Sequence, residues 1–226
     1  MSPRPYRMEK RQTARDETRD RILNAARQLL STNSSSELTM DAIARRADVS
    51  RLTIYYQFKS RAGLLEALYD HLAARGNMAR MAEAFHEKDA ARALNKMVRT
   101  FVGFWASDAP AMRRLRAMAA LDSEIGRGVF GRDARRPRIA SELLSRSGGG
   151  AATPGADSVQ HGANVVGMLT SFETYDALSR SGHTDEQIVT ILTTLVACAV
   201  NQPGRAKSRK ARGGRGRKRA IRERTE

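Results

Sequence analysis

The chain is short of the residues that staple, stack or break a fold. Its 226 residues include one cysteine, Cys198, and one tryptophan, and aromatic residues make up only 5%. A single cysteine excludes an internal disulfide, which suits a reducing compartment. The six prolines leave long stretches free to be helical. No run of about 18 uninterrupted apolar residues occurs, which excludes the signal of a membrane-spanning helix. The opening residues, MSPRPYRMEKRQTARDETRD, lack the apolar segment of a secretion signal. A cytoplasmic protein is expected.

Catalytic signals are missing too. The four histidines, His71, His86, His161 and His183, have no partners at metal-ligand spacing. The Gly148–Gly150 run lacks the Gly-Lys-Ser/Thr of a phosphate loop, and no Gly-x-Ser-x-Gly elbow appears. No metal, cofactor or enzymatic constellation is expected. Cys198 falls in an apolar helix and reads as a small buried hydrophobe.

Acidic residues are also scarce, 24 against 40 basic ones, for a net charge of +16. The imbalance is uneven. Residues 1–66 carry 13 basic and 8 acidic side chains, residues 67–203 carry 16 and 14, and residues 204–226 carry 11 and 2. The two ends are basic and the middle is nearly neutral. Clustered positive charge attracts phosphate backbones and displaces their counterions. The last 23 residues hold one large apolar side chain, Ile221, so they are expected to be disordered. An N-terminal arm over 1–15, with Arg4, Arg7, Lys10 and Arg11, is expected to be flexible.

What is present is helical periodicity. Ile22, Ala25, Ala26, Leu29 and Leu30 follow the i, i+3, i+4, i+7 spacing of an amphipathic helix. After the polar run Ser31–Ser36, Thr39 reads as an N-cap, Ser50 as the next and Ser60 as a third. Leu94, Met97, Val98, Phe101, Val102 and Trp105 form a long apolar face. Pro110 suits the first turn of a following helix. Another helix is expected over about 133–146, and Ser147–Asp157 reads as a flexible connection. Val165, Met168, Leu169, Phe172 and Tyr175 mark a helix ending near Gly182. Thr184 to Gln187 forms a capping box ahead of Ile188, Ile191, Leu192, Leu195, Val196 and Ala199. No convincing alternating strand appears. The reading is an all-α protein of about nine helices.

The stretch DVSRLTIYYQFKSR, Asp48 to Arg61, is too polar for a core helix and carries two adjacent tyrosines. Two short helices joined by a tight turn form a helix-turn-helix whose second helix can enter a major groove. Arg51, Thr53, Tyr56 and Gln57 would offer donors there. A tyrosine ring can pack on the sugar-phosphate wall while its hydroxyl donates to a phosphate.

The runs TMDAIARRADVS, Thr39–Ser50, and YYQFKSRAGLL, Tyr55–Leu65, resemble the DNA-binding domain of the tetracycline-repressor-like (TetR/AcrR) family of transcriptional regulators. Gly167–Leu178 is similar to the penultimate helix of many such regulators. The resemblance implies DNA contacts from Thr39, Ser50, Arg51, Thr53, Tyr55, Tyr56, Gln57, Lys59 and Arg61. It also implies double-stranded DNA as partner, a homodimer through the last two helices (about 158–181 and 185–200), and a small-molecule effector. Three positions depart from the usual pattern: Asp48 replaces the turn glycine, Leu52 replaces a small residue, and Arg61 replaces a lysine. Aspartate tolerates a left-handed backbone.

The domain plan is then an arm (1–15), a DNA-binding head (16–62), a body (63–202) and a basic tail (203–226). Within the body Phe101, Phe104, Trp105, Met112, Met118, His161, Met168 and Phe172 are candidates to line a ligand pocket, with His161 and Glu173 as polar handles. The expected function is a repressor that binds a palindromic operator as a dimer and is released by a small molecule. The alternative is a non-specific, nucleoid-type DNA-binding protein driven by its tail.

Overall fold

A computed structural model describes residues 4–32, 38–146 and 156–201, and these form twelve α-helices and one turn of 3₁₀ helix. In order they are α1 (Arg4–Ser31), α2 (Met40–Ala47), α3 (Arg51–Phe58), α4 (Arg61–Arg75), a 3₁₀ turn (Met78–Arg80), α5 (Met81–His86), α6 (Ala90–Ser107), α7 (Ala109–Ala119), α8 (Ser123–Asp133), α9 (Arg135–Ser145), α10 (Ala156–Leu169), α11 (Phe172–Arg180) and α12 (Asp185–Asn201). No strand occurs among the described residues. No described helix is long and apolar enough to cross a membrane. The expected disorder of 203–226 and most of the expected connection at 147–157 lie outside the described residues.

The all-α class holds, and the expected count of about nine becomes twelve among the described residues. Two short helices, α5 and α8, went unread. The single helix expected to run through Val165–Tyr175 is two helices, α10 and α11. Thr170 is the reason. Its hydroxyl donates back to the Val166 carbonyl at 2.8 Å, and its own carbonyl accepts the Trp105 indole N–H at 3.0 Å. Ser171 then caps α11, its hydroxyl accepting from Thr174 N–H at 3.2 Å. From Arg4 onward the segment read as an arm forms the first turns of α1. Nothing in that stretch breaks a helix after Pro5, and Gln12 bonds Asp16 one turn on, at 2.9 Å.

The three N-caps of the head are as expected. Thr39, Ser50 and Ser60 accept from the backbone N–H groups of Ala42, Thr53 and Gly63 at 3.2, 3.0 and 3.0 Å. Ile22, Leu30, Ile43, Ile54, Leu64 and Leu68 are almost wholly buried and pin α1 to α4 together. Each such side chain contributes about 1.5–3 kcal/mol on leaving water. In the body α6 is central, packing on α5, α9 and α12, and α9 pairs closely with α10. The Thr184–Gln187 capping box forms as read, with N–H bonds of 2.8 and 3.3 Å. Cys198 is corrected: it is exposed, on a flank of α12 beside the buried Ile188, Leu192 and Val196 stripe.

Two joints tie α1 and α4 to the helices that follow. At one, Asp108 before α7 takes the Arg27 guanidinium and the Ser31 hydroxyl of α1, the latter at 3.0 Å. At the other, α8 lies along α4. The Tyr69 hydroxyl donates to the Ile125 carbonyl at 2.9 Å, and Arg132 pairs with Glu66 and Asp70 at 2.8 and 3.1 Å. The helices approach so closely that a Cβ on Gly128 would stand 2.2 Å from the Tyr69 ring.

Candidate nucleic-acid interface

The turn between α2 and α3 decides how α3 is presented. Asp48 adopts the left-handed conformation (φ 51°), and the amides of Asp48 and Val49 return to the carbonyls of Arg45 and Ala44. These two bonds form a Schellman closure. A glycine is usual at such a place, and aspartate substitutes because its short side chain tolerates positive φ. Val49 then packs against the core and Ile54 is buried, which turns the opposite face of α3 outward.

That outward face carries most of the expected residues. Arg51, Leu52, Tyr55 and Tyr56 are exposed, Leu52 by 78% and Tyr56 by 66%. Arg51 is held from two sides: Asp41 in the first turn of α2 lies 3.5 Å away, and the Tyr55 hydroxyl accepts from the guanidinium at 3.4 Å. The Tyr55 bond first, then the Asp41 charge, raises the guanidinium above its ordinary value, so it is cationic at any working pH. Tyr56 stands between two cations, Arg15 of α1 at 5.6 Å and Lys59 at 5.5 Å from its ring centre. Gln57 reaches sideways and donates to the Arg15 carbonyl at 3.1 Å. Thr39 and Ser50 spend their oxygens on capping.

Lys59 sits in a strained turn. Its φ of 69° is positive, and Ser60 N–H bonds the Phe58 carbonyl across it at 2.8 Å. This is a γ-turn with positive φ, which is rare for a side chain larger than glycine. It aims the ammonium back toward Tyr56. Arg61 is placed otherwise than expected. Its guanidinium pairs with Asp122 at 2.6 Å and with Glu124, both at the start of α8. The structure therefore exposes Arg51, Tyr55, Tyr56 and Lys59, leaves Thr53 and Gln57 half-buried on the same helix, and joins Arg61 to the body. Arg15, over Tyr56, borders that face and was missed, as was Arg19, which is half-buried 4.6 Å over the ring of the buried Phe58. Their signal was the i, i+4 spacing on α1.

The expected ligand residues are divided. Trp105 packs on Phe101, Phe104 and Phe172, with ring centres 6.2, 4.5 and 5.5 Å apart. These rings fill space against one another, and Met112 is buried beside α6 while Met118 is half-buried. Met168 and His161 are corrected to the surface of α10, because the buried stripe of that helix runs through Ala163, Val166 and Leu169. Glu173 is exposed and paired with Arg116, which also holds Asp133 at 2.7 Å. Burial alone would raise the Asp133 carboxyl, but Arg116 and Arg136 keep it below its ordinary value. An open cleft of about 740 Å³ lies elsewhere, lined by Glu83, His86, Glu87, Asp89, Arg92 and Lys96 among others. No group of three or more metal-binding side chains occurs among the described residues.

Comparison with known proteins agrees with this geometry. Residues 22–68 match the model of bacterial regulatory proteins of the tetR family. The HTH-type transcriptional regulator AlkX of Mycobacterium tuberculosis is 46% identical over 57 residues, 25% of this chain and 27% of that protein. The matched segments span 27–39% of the curated relatives' length. A TetR-like regulator from Rhodococcus sp. RHA1 shares the fold with a TM-score of 0.60 and 20% identity, over 80% of this chain and 93% of that one. The regulator LfrR from Mycobacterium smegmatis, solved in complex with proflavine, has a TM-score of 0.50 and 26% identity over 82% of this chain and 97% of its own. Residues 22–68 thus match the tetR-family model of bacterial regulatory proteins, and the chain shares its fold with TetR-like regulators over 80% of its length.

Proposed function

We propose that this chain is a cytoplasmic transcriptional repressor that binds a palindromic operator as a homodimer and leaves it when a small molecule binds the body. The carrying observation is the outward face of α3, where Arg51 and Tyr56 are exposed yet already oriented by Asp41, Tyr55, Arg15 and Lys59. Side chains held this way lose less entropy on meeting DNA. Arg51 and Gln57 suit base edges, and Thr39, Ser50, Thr53, Tyr55, Tyr56 and Lys59 suit phosphate and sugar.

Two features support the rest of the reading. Leu195 and Cys198 on α12 and Met168 on α10 leave apolar surface in solvent on the helices expected to pair between subunits. The aromatic cluster around Trp105 suits a flat apolar effector that would part its rings on entry. Proflavine, bound by LfrR, is a reasonable first probe. Effector binding would shift the two heads off a spacing of about 34–36 Å, one helical turn of DNA.

The test is selection of bound sequences from random duplexes at about 150 mM salt, with the full chain and with a chain ending at Pro203. A shared palindrome from both supports the reading. Binding without an enriched motif, lost on truncation, would overturn it in favour of a nucleoid-type coater.

A further inference from the structure

The overhang of α1 continues a core-facing line with basic residues. Leu23 is buried in the head. Arg11, Arg15 and Arg19 follow one another at steps of four and, at about 100° per residue, spread over roughly 80° centred on the line of the buried Ile22 and Ala26. Arg19 is half-buried over Phe58, Arg15 is exposed over Tyr56, and Arg11 is exposed one turn further out. The acidic residues of this stretch keep to another side. At about 100° per residue Glu9, Asp16 and Asp20 cluster roughly 120° round the helix from the arginines, and Glu17 lies about 160° away. The Gln57 bond to the Arg15 carbonyl fixes this register against α3.

We propose that the first turns of α1 form a second DNA-binding element, whose Arg11–Arg15–Arg19 face grips the phosphate backbone flanking the groove that α3 enters. The inference rests on the reading of α3 as the DNA-reading helix. The occupant follows from charge and continuity. A stripe of guanidinium groups begins at the edge of the α3 face and runs outward from it, and the acidic side chains are turned away. A solvated amphipathic overhang would not need its basic stripe on the line that contacts Tyr56 and Phe58. One helical step of four residues advances about 6 Å, so the stripe lengthens the footprint without adding base contacts. It supplies affinity and register, and leaves sequence choice to α3.

Arg11 is the residue to vary, because it is exposed and its removal leaves the Arg15–Tyr56 and Arg19–Phe58 contacts in place. Arg11→Ala would be compared with the unaltered full chain and with Arg92→Ala, a charge-matched change at an exposed position on α6. Each would be titrated with salt on a selected half-site duplex with long flanks and on the same site trimmed to its core. The expected result is a salt slope smaller by about 0.9 for Arg11→Ala on the flanked duplex. On the trimmed duplex Arg11→Ala matches the unaltered chain, Arg92→Ala changes neither slope, and the selected motif is the same in all three. An unaltered slope for Arg11→Ala overturns the inference and leaves the α3 reading standing. So does an equal loss in Arg92→Ala, or a loss that persists on the trimmed site. If the unaltered chain selects no motif, the α3 reading fails and this inference with it.

Discussion

The Arg61 guanidinium of α4 and the carboxylate of Asp122, the N-cap of α8, lie 2.6 Å apart, joining the helix that follows the DNA-facing turn to the body. Asp122 does two jobs, since its other oxygen caps α8 at the amides of Glu124 and Ile125. The two can be separated. Asp122→Asn keeps an N-cap but removes the charge and should cost less than about 1 kcal/mol, because the pair is partly exposed. Asp122→Ala loses both and should cost about 1–2 kcal/mol. Thermal unfolding of the two variants checks the order, and equal losses would contradict the double role. Arg61 first of all holds this carboxyl below its ordinary 3.8. The stabilisation is therefore present above that value and lost as pH falls below it.

Gly128 should not tolerate even a methyl group. A Cβ there would meet the Tyr69 ring at 2.2 Å, and Tyr69 is fixed by its bond to the Ile125 carbonyl. Gly128→Ala is expected to destabilise by about 1–3 kcal/mol despite the better helix propensity of alanine. Burial first of all pushes the Tyr69 hydroxyl up to about 12, so it stays a donor at neutral pH. In denaturant titrations Gly128→Ala should lose its cost when paired with Tyr69→Ala, which removes the obstructing ring. Additive losses would show that the contact is not the cause.

His71 makes stability pH-dependent near neutrality. Its ring meets the Asn24 side chain of α1 at 3.2 Å, and burial first, then the charge of Arg75, lowers its pKa from 6.5. The unfolded chain therefore binds the proton more readily than the folded one. The contribution is present above 6.5 and is lost as pH falls through the lower folded value. The melting temperature should drop between pH 7 and pH 5.5, and His71→Gln should flatten that drop. An equal slope in the variant would assign it to other groups.

Lys59 is where stability and binding should part. Its positive φ costs about 1–3 kcal/mol for a residue with a Cβ. Lys59→Gly relieves that strain and should raise the melting point of the chain, with part of the gain offset by glycine's larger entropy when unfolded. The same change removes a cation next to Tyr56 and should weaken DNA binding, lowering the salt slope by about 0.9. A variant that gains neither stability nor loses affinity would count against the role given to this turn.

The parts of this fold that were legible in the sequence are those set within one helical turn. Thr39, Ser50 and Ser60 announce their helices because a cap bonds an amide two or three residues away, and Thr184 with Gln187 does the same. The turn at Asp48 was readable for the same reason. What stayed hidden depends on distant residues. The break at Thr170 is stabilised by Trp105, 65 positions earlier, and Arg61 turned from phosphate to a partner 61 positions later. Helix α8 buries only Ile125, Gly126 and Val129, too few to make a periodic stripe. Cys198 looked interior because α12 carries apolar residues beyond the width of the core it touches.

The unbroken run of α1 has a mechanical consequence. One end is fastened at Arg27 and Ser31 to Asp108, and the other passes Tyr56 at Arg15. The distance from Arg27 to Arg15 is about 18 Å at 1.5 Å per residue. A stiff rod anchored this way magnifies rotation. A tilt of about 10° where it is clamped would swing its far end by roughly 3 Å, about a quarter of the width of a major groove. A rearrangement at Asp108 small enough to leave the core packing intact would thus register at the DNA as a misfit.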